Sequence, residues 1–463
     1  MGKVGLLPAP GKALCRLFIG LTVILLAPVI HAGNEPDRST PGGTVVSSDA
    51  IGTSDPDEIN KSAKDKKAAR KDAEPGELVQ LGEVTITGKI TNEAAVNMPS
   101  VVETLSAEGI ERINAVETAD VFKYMPGSYL RKLYPGATNS PLVIRGNNST
   151  MTGRTEVLMD GIRISDFTAA GHSNGPKWFL VAPQEIERVD LIYGPFSAAL
   201  SGNSMSGTAM ITTHYPDKME IGADAKYFYQ NFHEYNTDQG MHGYETYGSF
   251  GNKTGRFSYN FWYNRLETRV QSVSYVTKEV ASGGAPSGNP VTGWLEDLDP
   301  SGKPRFILGA AGTKDIINNT YKVKLAYDLT PESQIRFVNA FWDSTQNGFS
   351  PETYLRDARG NPVYSGNVDL GGVGYNLGAT TFGYSKSKSE DMINALIYSL
   401  DMPDGWKVNA SASSYDKLKD LTSSSGTEPP LSKSGGAGTF TDRDSGWYTA
   451  DLRAAHDIEC FGV

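Results

Sequence analysis

Apolar and polar residues alternate with a period of two along much of the carboxy-terminal half of this chain. In Thr320 to Leu329, Tyr321, Val323, Leu325, Tyr327 and Leu329 are apolar, whereas Lys322, Lys324 and Asp328 are charged. Arg256 to Asn264 repeats the pattern with Phe257, Tyr259, Phe261 and Tyr263, and Trp406, Val408, Ala410 and Ala412 alternate with Lys407, Asn409, Ser411 and Ser413. One apolar face at this period predicts strands that are half in lipid and half in an aqueous lumen, or half buried in a soluble sandwich. Connection lengths separate the two: 251–255, 330–333 and 401–405 read as tight turns, and about 277–318, 344–371 and 417–443 as long, Gly- and polar-rich loops. Long loops at one end and short turns at the other point to an outer-membrane barrel. Strands are expected near 222–232, 243–250, 256–276, 319–329, 334–343, 372–400, 406–416 and 444–458, the sixth being very long or kinked.

Residues 83–215 follow another rhythm. Ile110, Ile113, Val116, Val121 and Tyr124 lie near helical spacing over 108–124, and Pro126-Gly127 stops that helix. Pro141 to Gly146 reads as a short buried strand. Asp160-Gly161 between the apolar runs of Glu156 to Ile164 is a strong hairpin signal. Glu185 to Tyr193 is a further strand, closed by Gly194-Pro195. A small α+β domain is expected.

Upstream, Lys3, Lys12 and Arg16 precede the apolar run Leu17 to Ile30, and Ala32-Gly33 offers a small-residue cleavage point, so residues 1–32 read as a signal peptide. That run is shorter than the ~20 residues needed to span a bilayer as a helix. Cys15 precedes it, which leaves Cys460 as the lone thiol of the exported chain and excludes an internal disulfide. Residues 33–82 are Ser-, Gly-, Pro-, Asp- and Lys-rich with almost no aromatics, the composition of a disordered tether.

The order of motifs over 83–215 resembles the plug domain of TonB-dependent outer-membrane receptors. The matching pieces are Met125-Pro126-Gly127, Ile144-Arg145-Gly146, Leu158-Met159-Asp160-Gly161, Ile186-Glu187-Arg188-Val189, Tyr193-Gly194-Pro195 and Gly202 to Thr213. Two positions depart from the family pattern: Tyr193 stands where a basic residue is usual, and Ser201 where an aromatic is usual. The resemblance implies an α+β plug domain over 89–216 followed by an antiparallel transmembrane β-barrel that is incomplete in this chain. Residues 217–463 would then be its amino-terminal part, about 8–10 strands. Volume supports incompleteness: about eight strands close on their own side chains, whereas a plugged barrel takes about 22. The end, Glu459 to Val463, lacks the terminal aromatic of such barrels.

The resemblance also assigns roles. Glu83, Val84, Thr85, Ile86, Thr87 and Gly88 resemble the TonB box, an extended β-branched segment that adds to a partner's sheet edge; an ordinary first plug strand has the same composition. Arg145, Glu187 and Arg188 match plug charges that pair with barrel carboxylates, although Glu187 and Arg188 also fit a strand edge facing water. The implied function is active uptake of a scarce nutrient, such as a ferric siderophore, cobalamin or related metal chelate, across the outer membrane. The partner would be the TonB-ExbB-ExbD inner-membrane complex. A passive porin or adhesin-like barrel is the alternative.

Charge and candidate chemistry change little. The formal net charge of −10 argues against a nucleic-acid partner. The six His residues (31, 172, 214, 233, 242 and 456) lack zinc spacing, and no catalytic constellation or cofactor motif stands out. His233 and His242 are expected to flank a first outer loop. Gly371 to Gly374 opens no helix and so is not a phosphate loop, and Asp297, Asp299 and Ser301 near Gly302 read as a solvated turn without the last ligand of a calcium loop.

Overall fold

The computed structural model of the chain describes residues 101–146, 155–166, 175–194, 204–270, 273–280, 288–348, 351–429, 439–442 and 445–456. The signal segment, the tether and Glu83 to Gly88 lie outside the described residues, as do His172 and Ser201.

The α+β domain opens with β1 (Val102–Ser106), and the Ser106 hydroxyl accepts the Gly109 N–H to cap the short helix α1 (Ala107–Glu111). The expected single helix over 108–124 is instead two pieces, α1 and a 3-10 helix at Thr118–Tyr124. Asn114 sits at φ 53, which an α-helix cannot continue through. The Asp120 carboxylate then accepts the Val116 and Glu117 N–H groups, both at 3.1 Å, and starts the second piece. Ile110 and Val121 are buried while Tyr124 is exposed, so these residues do not form one helical face.

The strands β2 (Ser128–Leu130) and β3 (Leu142–Ile144) pair antiparallel. In the hairpin of β4 (Thr155–Met159) and β5 (Ile162–Arg163), Asp160 at φ 50 and Gly161 at φ 83 supply the two positive angles of a type I′ turn. With β6 (Ile186–Tyr193) and β7 (Gly207–Thr213) they form a five-stranded sheet of order β1-β6-β7-β4-β5, in which only β4 and β7 run parallel.

Then follow β8 (Glu220–Glu234), β9 (Thr237–Thr254), β10 (Phe257–Val270), β11 (Ser274–Glu279), β12 (Asn289–Pro290), β13 (Leu295–Leu298), β14 (Pro304–Ala311), β15 (Lys314–Thr330), β16 (Ser333–Gly348), β17 (Glu352–Thr353), β18 (Gly366–Leu370), β19 (Val373–Leu377), β20 (Ser385–Asp401), β21 (Trp406–Ser424), β22 (Thr439–Asp442) and β23 (Ser445–His456). The long strands build one antiparallel wall of order β22-β21-β20-β16-β15-β10-β9-β8, with β23 also on β21. Its two ends do not pair with each other, so the wall is open among the described residues.

Three expectations change. The 372–400 segment splits: Val373–Leu377 belongs to a small hairpin and only β20 runs in the wall, which keeps the long connections at one end. The first outer loop is a two-residue turn with Tyr235 at φ 51, so His233 and His242 lie on paired strands. The connections β10 to β15 and β16 to β20 are not plain loops in their described parts, 273–280, 288–313 and 351–384. They interlace, with β17 pairing β14 and β12 pairing β18, around a core containing Phe306, Leu308, Leu355, Val368, Leu370 and Phe382.

Period-two alternation explains which way the wall faces. Tyr321 (47% exposed) and Tyr327 (44%) project from one side of β15, whereas Lys322 (1%) and Lys324 (0%) point to the other. The polar side expected to line water is therefore buried against the α+β domain. One apolar cluster joins Phe122, Ile144, Met159, Leu180 and Leu191 of that domain to Val338, Ala340, Ile393 and Tyr415 of the wall.

Candidate functional site

The segment from Gly175 to Glu185, between β5 and β6, carries the seam between domain and wall. The Trp178 ring packs on Phe122 at 5.2 Å and its indole N–H donates to the Ser140 carbonyl at 2.7 Å, so its first turn is fixed to the domain. Phe179 points the other way and stacks on Trp342 of β16 at 3.8 Å. Pro183–Glu185 forms a 3-10 turn that turns two neighbouring side chains onto different strands. Gln184 donates to Asp224 at 2.8 Å and to Glu245 at 3.1 Å, on β8 and β9.

Glu185 is the centre of the seam. Its carboxylate accepts from the Lys322 ammonium at 2.6 Å, from the Trp262 indole N–H at 2.9 Å and from the Ala182 N–H at 3.3 Å, and the Lys324 ammonium lies 3.9 Å away. Lys322 also donates to the Leu180 carbonyl at 3.1 Å. Lys324 donates to Thr213 Oγ1 at 2.5 Å and to the His214 carbonyl at 2.6 Å, and the Thr213 hydroxyl donates to Asp160. Two wall cations thus face Glu185 and Asp160 through a short polar chain. Buried charge is expensive unless paired and hydrogen-bonded, and every member here has such partners. Further along the seam Lys177 pairs with Asp166 at 2.9 Å and lies 5.7 Å from the Tyr415 ring, whose hydroxyl donates to Asp391.

The sequence-predicted charges sit elsewhere. Arg145 donates to the Gly194 carbonyl at 2.9 Å and lies over the Tyr193 ring at 5.0 Å. The cation missing at position 193 is thus supplied from a neighbouring turn, and the Tyr193 hydroxyl donates to the Pro126 carbonyl. Arg188 pairs with Asp190 at 2.9 Å on its own strand, and Glu187 is exposed. Among the described residues none of the three pairs with a wall carboxylate: Arg145 and Arg188 have partners within the domain, and Glu187 is exposed. Sequence reasoning missed Glu185 and its lysines. The available signal was an aromatic run, Trp178-Phe179, flanked by Lys177 and Glu185 in a connecting segment, opposite a strand with two charges on one face.

Among the described residues no group of three or more His, Cys, Asp and Glu could hold a metal ion. Asp297 is committed to Arg305 at 2.7 Å. The Lys303 and Ser301 N–H groups bind Asp299 and hold its carboxyl below the usual range. Gly371 (φ 67) and Gly372 (φ 91) make the tight turn between β18 and β19. The seam holds the domain against the wall through buried ionic, hydrogen-bonded and aromatic contacts.

Residues 94–208 match the family model described as TonB-dependent Receptor Plug Domain. This chain carries a TonB-dependent receptor plug. It is 26% identical over 148 residues to the vitamin B12 transporter BtuB of Vibrio vulnificus (strain YJ016), a match covering 32% of this chain and 23% of that one. Similar solved structures include a mutant of the ferric enterobactin receptor PfeA from Pseudomonas aeruginosa, with a TM-score of 0.47, 16% identity and coverage of 77% of this chain and 46% of that one. The siderophore receptor PirA from Acinetobacter baumannii follows, with a TM-score of 0.42, 15% identity and coverage of 73% and 46%. The matches span less than two thirds of each relative's length. The receptor family consists of transporters rather than enzymes. The family match covers the α+β domain, and the wall against which that domain packs is antiparallel.

Proposed function

We propose that this chain acts in the outer membrane as a TonB-dependent receptor that actively takes up a scarce nutrient, a ferric siderophore or similar metal chelate. The observation that carries the reading is a plug whose sequence matches the family model and whose seam residues clamp it to the inner face of an antiparallel wall. In this reading Glu83 to Gly88 forms the TonB box, and the TonB-ExbB-ExbD complex pulls on it to shift the plug. The seam suits such work: polar and ionic contacts can be broken and remade under pulling without loss of covalent structure.

Cells expressing the chain and supplied with radiolabelled ferric enterobactin, ferric preacinetobactin or cobalamin test this. The expected result is uptake of one solute in cells with TonB and none without, while surface binding persists. Ile86→Pro should remove uptake and leave binding, since proline cannot complete an added strand. Equal uptake with and without TonB would favour a passive barrel and overturn the proposal.

A further inference from the structure

Tyr215 lies in the joint between domain and wall, after β7 and before β8. Its neighbour is tied to the seam: the His214 N–H donates to the Glu185 carbonyl at 2.8 Å, and the His214 carbonyl accepts from Lys324 at 2.6 Å. The Tyr215 ring is shared by two cations, with the Lys324 ammonium 3.9 Å and the Arg336 guanidinium carbon 5.8 Å from its centre. Arg336 stands opposite Ala326 in the register of β15 and β16, so it occupies the same inward face as Lys322 and Lys324.

The three cations are not equally served. Lys322 and Lys324 have Glu185 and, through Thr213, Asp160. Arg336 is 7% exposed, yet among the described residues its guanidinium pairs with no carboxylate; Nη2 donates to Ser399 Oγ at 3.2 Å, and Nε finds no acceptor. The Tyr215 hydroxyl is buried as well and has no hydrogen-bond partner among the described residues. A buried cation without a counter-charge is costly, and the ammonium on the same ring adds repulsion.

We propose that Arg336 and Tyr215 hold a small monovalent inorganic anion, chloride in type, between the guanidinium Nε–H and the phenolic O–H at the joint of domain and wall. Charge sets the valence: Lys322, Lys324 and Arg336 face two carboxylates, so one negative charge balances the cluster. Donor number sets the shape. A phosphate or sulfate would bring four oxygens to two free donors, whereas a spherical halide accepts from both and needs no further partner. The hydroxyl lies at the ring edge, the side of an aromatic that favours an anion, while the two cations take the face. The ion would link β16 to the chain leaving β7 and so tighten the seating of the plug.

Plug seating in the full chain, read as the urea midpoint for protease cleavage within 175–185, tests this. In vesicles moved from sodium gluconate to sodium chloride at fixed ionic strength, the midpoint should rise saturably, by about 0.7 M urea when chloride stands at tenfold its dissociation constant. Arg336→Met should raise the midpoint in gluconate, because the unpaired charge is gone, and should abolish the chloride response. Tyr215→Phe keeps the ring against both cations and should weaken chloride about tenfold by removing one donor. Crystals of the full chain soaked in sodium bromide should show anomalous scattering between Arg336 and Tyr215. A midpoint indifferent to the anion, a chloride response that survives in Arg336→Met, or bromide bound only elsewhere overturns the site. These readouts involve neither TonB nor a solute, so they stand apart from the uptake reading.

Discussion

Replacing Lys322 with methionine tests the central ion pair. Methionine keeps most of the apolar stem, so little cavity forms. The Glu185 carboxylate, buried at 4% side-chain exposure, keeps the Trp262 and Ala182 N–H groups, but its nearest cation is then Lys324 at 3.9 Å. The Leu180 carbonyl also loses a donor. Breaking one side of a buried pair costs about 3–5 kcal/mol. With a slope of about 2 kcal/mol per M urea, the seating of the plug should weaken by about 2 M in midpoint. Protease cleavage within 175–185, followed across a urea series on the full chain, reads that midpoint. Glu185→Leu should cost a similar amount, and Glu185→Leu with Lys322→Met should cost clearly less than the sum, because no unpaired charge remains between the two positions. Midpoint shifts under about 0.5 M for both single variants, or strict additivity in the double, would refute the clamp.

The interlaced connections should respond as one unit. Phe382→Ala, at a fully buried position, should cost about 3–5 kcal/mol locally and raise amide exchange in both 288–313 and 351–384 while the wall strands stay protected; exchange confined to the second connection would contradict the shared core. Lys132 supplies a pH signature. Burial lowers its pKa, but Glu117 and Asp120 outweigh that and raise it above the ordinary 10.5, so its stabilisation is complete below that value and is lost as pH rises through the folded value. Amide protection of the 131–140 loop, measured relative to the base-catalysed exchange of an unstructured peptide, should therefore fall at strongly alkaline pH in the native chain, and Lys132→Met should remove that fall in protection.

Much of the architecture was legible because it follows from local rules. The Asp160-Gly161 turn needs two positive φ angles, which that dipeptide accommodates, and the wall strands repeat a two-residue period that only an extended chain can present as a face. The plug was recognisable from the order of its turn motifs, since turns depend on a few residues at set offsets. What failed was set by competition between segments. Helical spacing over 108–124 lost to Asn114 and to the Asp120 cap, and the apparent 372–400 strand lost its first part to a hairpin whose partner, β18, lies in a connection read as loop.

Sequence alone determined that Lys322 and Lys324 share a face and that Glu185 precedes a strand. It did not determine that they meet, because an ion pair 137 residues apart depends on how far the plug is rotated and how deeply it is seated against the wall. That placement decided two things together. It turned a face expected to meet water into a desolvated one and left Arg145 and Arg188 with partners inside the plug. Periodicity records only which side of a strand a residue occupies; what lies opposite that side is settled when separate elements pack, and burial then determines which charges must be paired.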